Sequence, residues 1–299
     1  MKNVEKLGNM DKTRYDSYYE TKKHSDIMYA YTVYPCTIPQ DFSFVPLHWQ
    51  DSFEIIYVKK GTGYIQIDLS TFQAESGDIF VVLPGHLHGL RKFEDSRMEY
   101  ENIIFDKSFL GNDVVDACSQ KYLQPLLEEK LYFPVRIRRG QKMYEKLSGF
   151  LDSADVLSDQ KPWGYELGVK GYIQLFFSQL FAMSREKKHH GLENKSMEKM
   201  KSVISYMEEN YDGKITVEDV AAECGYSTSH FMRWFKEMTG TGFGNYLIEF
   251  RLGKAAHALR TTEATVLEIA EQSGFGNLSN FNRLFKKKYK MTPGMFRKR

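Results

Sequence analysis

The chain has 299 residues, 42% hydrophobic, 27% charged and 14% aromatic, with a formal net charge of +2; this excludes a disordered polyelectrolyte and leaves room for about two globular domains. The densest apolar run, GYIQLFFSQLFAM at Gly171–Met183, is interrupted by Gln174, Ser178 and Gln179, short of the roughly 18 apolar residues of a membrane span. Cys36, Cys118 and Cys224 are widely spaced and form no CxxC, which argues against a disulfide framework or a zinc cluster.

The first stretch, MKNVEKLGNMDKTRYDSYYE, has no apolar core of the kind a secretory signal needs, so the expected location is cytoplasmic, with no membrane partner. From Phe53 to Leu83 the chain reads FEIIYVKKGTGYIQIDLSTFQAESGDIFVVL. Short runs of Ile, Val, Tyr and Phe, punctuated by Gly61, Gly63 and Gly77, are a β signature. Ile65 and Ile67 alternate with Gln66 and Asp68, whereas Ile79–Leu83 is continuously apolar, as in a strand buried on both faces. The pattern predicts a β-barrel or jelly roll over residues 1–106, a form whose mouth commonly holds a ligand. His48, Trp49, Glu54, Tyr57 and His88 are the candidate effector-binding residues; each type also occurs as ordinary core or as half of an ion pair.

Residues 107–188 read as a helical segment. Its strongest element, GYELGVKGYIQLFFSQLFAMSREKK, sets Leu167, Ile173, Phe176, Phe177, Leu180 and Phe181 on one broad apolar face. Such a face packs against the barrel or against a second subunit. The polar run EKKHHGLENKS follows, with residues 189–196 as linker.

Residues 197–299 carry the basic excess. From Ser196 onward there are 16 Lys/Arg against 12 Asp/Glu, and Arg283–Arg299 holds eight basic residues and no acidic one, a field suited to a polyanion. An internal repeat makes the reading sharper. VEDVAAECGYSTSHFMRWFKEMTG pairs with VLEIAEQSGFGNLSNFNRLFKKKYK when one residue is inserted after the Gly-aromatic pair. Each unit reads as helix, tight turn, helix. Thr216 and Asp219 form a capping-box pattern with the shorter acid, Gly225 supplies the turn, and Ser227 and Asn277 are N-caps of the second helices. Phe231 and Phe235, like Phe281 and Phe285, face the core. Ser229, Met232, Arg233 and Lys236 lie opposite, matched by Ser279, Asn282, Arg283 and Lys286. Between the units, NYLIEFRLGKAAHALR forms a linking helix of roughly 20 Å, enough to hold two reading helices for successive major-groove segments. The Lys286-Lys287-Lys288 run is assigned to phosphates or solvent.

Those segments, ITVEDVAAECGYSTSHFMRWFKEMTG, YLIEFRLGKAAHAL and VLEIAEQSGFGNLSNFNRLFKKKYKMTPGMFRK, resemble the DNA-binding domain of AraC/XylS-type regulators over roughly Lys199–Lys298. The resemblance implies seven helices and two helix-turn-helix units reading promoter DNA. It places Ser229, Met232 and Arg233 at the first unit's base-reading positions and Ser279, Asn280 and Arg283 at the second's. Met232 departs from the polar reader common there, leaving an apolar contact to a thymine methyl or none.

HWQDSFEIIYVKKGTG and SGDIFVVLPGHLHGL similarly resemble the two cupin motifs of AraC-type effector domains, over about Ser43–Phe105. Enzymatic cupins hold a metal with four residues, whose matching positions here are His48, Gln50, Glu54 and His88. Gln50 stands where a second His is needed and is a poor ligand beside imidazole, so an intact four-ligand site is not expected; no metal, cofactor or catalytic residue is assigned. His86 is the one nearby substitute. The resulting fold class is α+β multidomain: a cupin-like barrel with a helical dimerisation segment, then an all-α double helix-turn-helix domain. The function expected is a sequence-specific regulator, on the family pattern an activator, with double-stranded DNA, RNA polymerase, a small-molecule effector such as a carbohydrate, and a second copy of itself as partners. A cupin-type metalloenzyme fused to a DNA-binding module, and an effector-independent DNA-binding protein, are the alternatives.

Overall fold

Strand β3 organises the N-terminal half. In the computed structural model, which describes residues 29–40, 44–111, 116–186 and 191–298, β1 (Tyr31–Ile38), β2 (Phe44–His48), β3 (Phe53–Ile67), β4 (Ser70–Glu75), β5 (Ile79–Val82), β6 (His88–Lys92) and β7 (Met98–Phe105) share one sheet. The first 28 residues of the expected barrel domain and residues 189–190 of the expected linker lie outside the described residues. The first half of β3 pairs antiparallel with β7 and β5, and the second half with β4 and β6, while β2 pairs with β6. One long strand thus serves two sets of neighbours, and a register shift at Val58–Lys60 marks the change.

The glycines that punctuate the sequence bend this strand rather than end it. Gly61 has φ +80°, and a Cβ there would lie 1.8 Å from the Arg97 carbonyl oxygen; one at Gly63 would meet the Met98 sulfur at 2.7 Å. Only glycine lets β3 cross the start of β7 so closely. Gly77, at φ +96°, turns the chain between β4 and β5.

Alternation along β3 separates two interiors. Phe53, Ile55 and Tyr57 join Ile79, Val81, Ile103 and Phe105 in a core closed by helices. Residues 54, 56 and 58 are equally buried on the other face. Past a short helix α1 (Gln124–Leu127) and the two-residue strands β8 (Leu131–Tyr132) and β9 (Arg136–Ile137), the covering helices are α2 (Tyr144–Gln160) and α3 (Tyr165–Met183). Leu147, Leu151 and Ala154 of α2 and Val169, Ile173, Phe176, Phe177 and Leu180 of α3 recur at spacings of three and four. Phe177 meets Phe53 edge-on with ring centroids 5.4 Å apart, and Phe53 stacks on Phe105 at 5.4 Å. The apolar face of α3 is thus spent on the chain's own sheet, except that Leu167 is 78% exposed. The 107–188 segment is not wholly helical: β9 adds to the sheet edge beside β5, and β8 pairs with β10 (Arg185–Glu186). Two-residue strands have no period for a sequence to display.

The main bodies of the two units are Trp49–Gly191 and Leu192–Arg299. The second is all helix: α4 (Gly191–Asn210), α5 (Val217–Glu223), α6 (Thr228–Thr239), α7 (Phe243–Thr261), α8 (Val266–Gln272), α9 (Leu278–Tyr289) and α10 (Pro293–Arg297). The seven helices match the expectation. α4 begins at Gly191, inside the segment expected as linker, because Met200, Val203, Ile204 and Met207 give its C-terminal part a buried stripe from which the helix continues back through the polar residues. α7, at 19 residues, is about 28 Å long. Among the described residues no helix is long and apolar enough to cross a membrane.

Candidate DNA-reading surface and buried polar cluster

The two halves of the repeat fold identically at their turns. Tyr226 N donates to Ala221 O and Gly225 N to Ala222 O; Phe275 N donates to Ala270 O and Gly274 N to Glu271 O. This paired pattern closes a helix with a left-handed glycine, and Gly225 and Gly274 sit at φ +64° and +76°. The first helices are capped as the sequence predicts. Thr216 Oγ1 accepts from Asp219 N at 3.2 Å while Asp219 Oδ2 accepts from Thr216 N at 3.0 Å, and Thr265 with Glu268 repeats the exchange. Those hydrogen bonds hold both carboxyl groups below their ordinary range. Ser227 and Asn277 cap the second helices by accepting from His230 N and Asn280 N.

Those second helices present opposite faces to core and solvent. Phe231, Trp234 and Phe235 of α6 are buried, as are Phe281 and Phe285 of α9. Ser229, Met232, Arg233 and Lys236 are exposed, as are Ser279, Asn280, Arg283 and Lys286; Asn282 is half-buried. The nine candidate residues therefore lie on the outer sides of two equivalent helices. Trp234 is a core residue the repeat does not reveal, since Leu284 stands at its place in the second unit. In α9 the Arg283 guanidinium donates to Asn280 Oδ1 at 2.8 Å. The matching position in α6 is His230, whose ring packs on Tyr226 at 4.1 Å between centroids, and Lys199 Nζ lies 3.7 Å from the centroid of that same Tyr226 ring. Lys288 corrects the reading of the lysine run. Its ammonium lies 2.9 Å from Glu249 Oε2 and 3.0 Å from Glu249 O on α7, so it fastens the helix and is withdrawn from phosphates.

In the sheet unit the structure brings Glu54 and His88 together and parts Tyr57 from them. Glu54, on the face of β3 turned away from the helices, is buried with His88 of β6. His48, at the end of β2, is buried too. His88 Nε2 is 3.0 Å from Glu54 Oε2, and Gln50 Nε2 donates to the same oxygen at 2.7 Å. His48 Nδ1 meets Pro46 O at 2.9 Å and His88 Nδ1 meets His86 O at 3.0 Å. A carbonyl only accepts, so both rings carry a proton on Nδ1, and His88 turns Nε2 toward Glu54. Trp49 is half-buried. Tyr57 belongs to the helix-facing core; burial holds its phenol above the ordinary range, and Lys59, paired with Glu101 at 2.9 Å, sits over its ring. His86 is held by Asp68, which leaves His88 as the imidazole of the HLH turn that points inward.

A double helix-turn-helix with a polar, partly basic reading face, in one chain with an antiparallel sheet that encloses hydrogen-bonding groups, defines a DNA-binding regulator with a ligand-binding domain. Comparison with known proteins agrees. Residues 211–299 match the helix-turn-helix domain family and residues 36–163 the AraC-like ligand binding domain family. The uncharacterized HTH-type transcriptional regulator YdeC of Bacillus subtilis is 24% identical over 280 residues, covering 93% of this chain and 95% of that one. The HTH-type transcriptional activator Btr of Bacillus subtilis is 26% identical over 237 residues, 78% of this chain and 42% of that one. The DNA-binding domain of AdpA, solved in complex with a target DNA, is 26% identical, with a TM-score of 0.32 over 33% of this chain and 89% of that one. The chain belongs to the AraC family of transcriptional regulators, which are DNA-binding proteins and not enzymes.

Proposed function

We propose that this regulator reads a promoter-proximal DNA site with both helix-turn-helix units, that it activates transcription through contact with RNA polymerase, and that a ligand in the sheet unit controls it. The observation that carries the proposal is the matched polarity of α6 and α9: each is capped, each buries two phenylalanines at the same spacing, and each leaves its reading residues outside. Phosphate contacts by Lys236, Lys286 and Lys287 would supply salt-dependent affinity, and Arg233 and Arg283 discrimination at base edges. Activation is supported by the likeness to an activator in Bacillus subtilis.

A homodimer is the second part of the reading. Trp163, between α2 and α3, is fully exposed, and Leu167 and Leu175 of α3 are also exposed, an apolar remainder of the kind that interfaces cover. The expected carbohydrate effector loses support, because Tyr57, one of its aromatic faces, lies on the other side of β3 from Glu54. Gel shifts with DNA from upstream of the gene test the core of the proposal. Wild-type protein should bind one fragment specifically, Arg233→Ala should weaken that fragment more than random DNA, and equal weakening of all sequences would remove base reading by Arg233. Light scattering should give a dimer; a monomer with and without DNA would remove the second part.

A further inference from the structure

We infer that the turn after α4, residues 211–213, is a joint that fixes the spacing of the two reading helices, with Arg251 of α7 as its positioning residue and Gly274 as the contact that locks the second unit to it. The inference deepens the proposed reading of DNA by both units and rests on it. The turn leads into Thr216 and α5 and so forms the base of the first unit. Arg251 Nε donates to Tyr211 O at 2.7 Å, and its Nη2 donates to Gly213 O at 2.6 Å. Beside it the Phe250 ring packs on Tyr211 with centroids 5.6 Å apart, and Lys254 Nζ lies 3.2 Å from Glu208 Oε1. The linking helix is thus fastened to the end of α4 through carbonyls, a ring and an ion pair.

The second unit meets the same turn. A Cβ at Gly274 would lie 2.2 Å from Tyr211 O and 2.7 Å from Arg251 Nε, whereas one at Gly225 would have nothing within 4 Å. The two glycines hold the same place in the repeat, and both are left-handed, so the turn itself asks for glycine at each. Only at 274 does packing ask for it as well. The backbone of the second unit's turn therefore rests against the carbonyl that Arg251 holds, and the first unit, the linking helix and the second unit meet at one point. The Arg251 guanidinium is spent on two carbonyls, a grip that its planar fork can make and a lysine cannot, so its effect on DNA reading is indirect. Two units held as one body bind with high effective concentration only where the DNA segments have the matching spacing.

The test uses the full-length chain and the upstream fragment that it shifts, with one base pair inserted or removed between the two protected segments. Each change moves one segment by about 3.4 Å along the duplex and by about a tenth of a turn around it. Wild-type protein should lose roughly a hundredfold in affinity, the lower part of the avidity that joining two modules confers. Gly274→Ala, Arg251→Gln and Arg251→Lys should bind the original fragment more weakly and lose only about tenfold or less on the altered ones, because loosened units adjust. Gly225→Ala carries the same turn strain away from the joint and should keep the wild-type penalty. A general loss of stability lowers binding to all fragments alike and leaves that ratio unmoved, and the salt slope should be unchanged in both Arg251 variants. A full penalty in Gly274→Ala and both Arg251 variants, or a penalty lost equally in Gly225→Ala, would overturn the joint. A lower salt slope with an unchanged penalty would overturn it too, making Arg251 a phosphate contact. If Gly274→Ala does not fold, the two Arg251 variants decide. Wild-type binding indifferent to the spacing sinks reading by both units, and the joint with it, so the wild type alone tells the two failures apart.

Discussion

In the proposed reading of DNA, Arg283 and Asn280 act as one element. The 2.8 Å hydrogen bond between them restricts an otherwise rotamer-rich guanidinium before DNA arrives, which lowers the entropy lost on binding. Arg283→Ala should relax discrimination at one base pair by roughly 1–3 kcal/mol. Asn280→Ala should produce part of the same loss, so that the double variant falls short of the sum; additive losses in a base-substitution binding series would show the two to act independently. Helical spacing placed Arg283 on the outer face and the family resemblance placed Asn280 among the reading positions, but the pairing was not legible, because it depends on rotamers. The three cysteines make a separate test. Burial pushes the Cys224 thiol up to about 11, so at pH 8 about one part in a thousand is thiolate. Cys36 is buried too, and Cys118 is exposed. A disulfide reagent should therefore find one fast thiol in the native chain and three after denaturation; rapid reaction at Cys224 would contradict its burial.

At the scale of elements, the turns and caps were the most legible features. Thr216, Asp219, Gly225, Ser227 and Asn277 act locally, and a local hydrogen bond needs only a few residues of sequence to specify it. Thr216→Ala should destabilise the helical unit by about 1 kcal/mol, read from denaturant unfolding. The sign of the pH effect follows from the same caps. Asp219 and Glu268 titrate below their unfolded values, first through the hydrogen bonds from Thr216 and from Thr265. Their contribution is thus complete above the unfolded carboxylate range and lost as pH falls toward the depressed folded values. Thermal stability should decline below about pH 4, less steeply in an Asp219→Asn, Glu268→Gln variant; equal slopes would show the caps carry no linkage.

Strand β3 was the less legible element. Its glycines look like turn signals, whereas Gly61 keeps the strand running past the Arg97 carbonyl, a long-range contact invisible in sequence. Gly61→Ala forces both a left-handed alanine and a collision with backbone, and should destabilise the chain by at least roughly 1–3 kcal/mol. A variant with unchanged melting would mean that β3 does not cross there. Tyr57 was misplaced against a signal the sequence held: an offset of three along one strand sets residues 54 and 57 on opposite faces, and only which of those faces meets the helices was illegible.

At the scale of the molecule, the repeat carried most of what sequence revealed, since two copies of one pattern separate structural from variable positions without any relative to compare. The units are alike in fold and unlike in the residues proposed to read DNA. The first offers Arg233 beside apolar Met232, and the second offers Ser279, the Asn280–Arg283 pair and a basic end from which Lys288 is withdrawn to Glu249. The second unit is therefore expected to supply more of the salt-dependent affinity.

Hydroxyl-radical footprinting of the upstream DNA tests the central claim most directly. Two protected segments should appear on one face of the duplex, about one helical turn apart. One segment should fade selectively with Ser229→Ala, Arg233→Ala and the other with Asn280→Ala, Arg283→Ala. A single protected segment, or two that no substitution on α6 or α9 disturbs, would contradict the account.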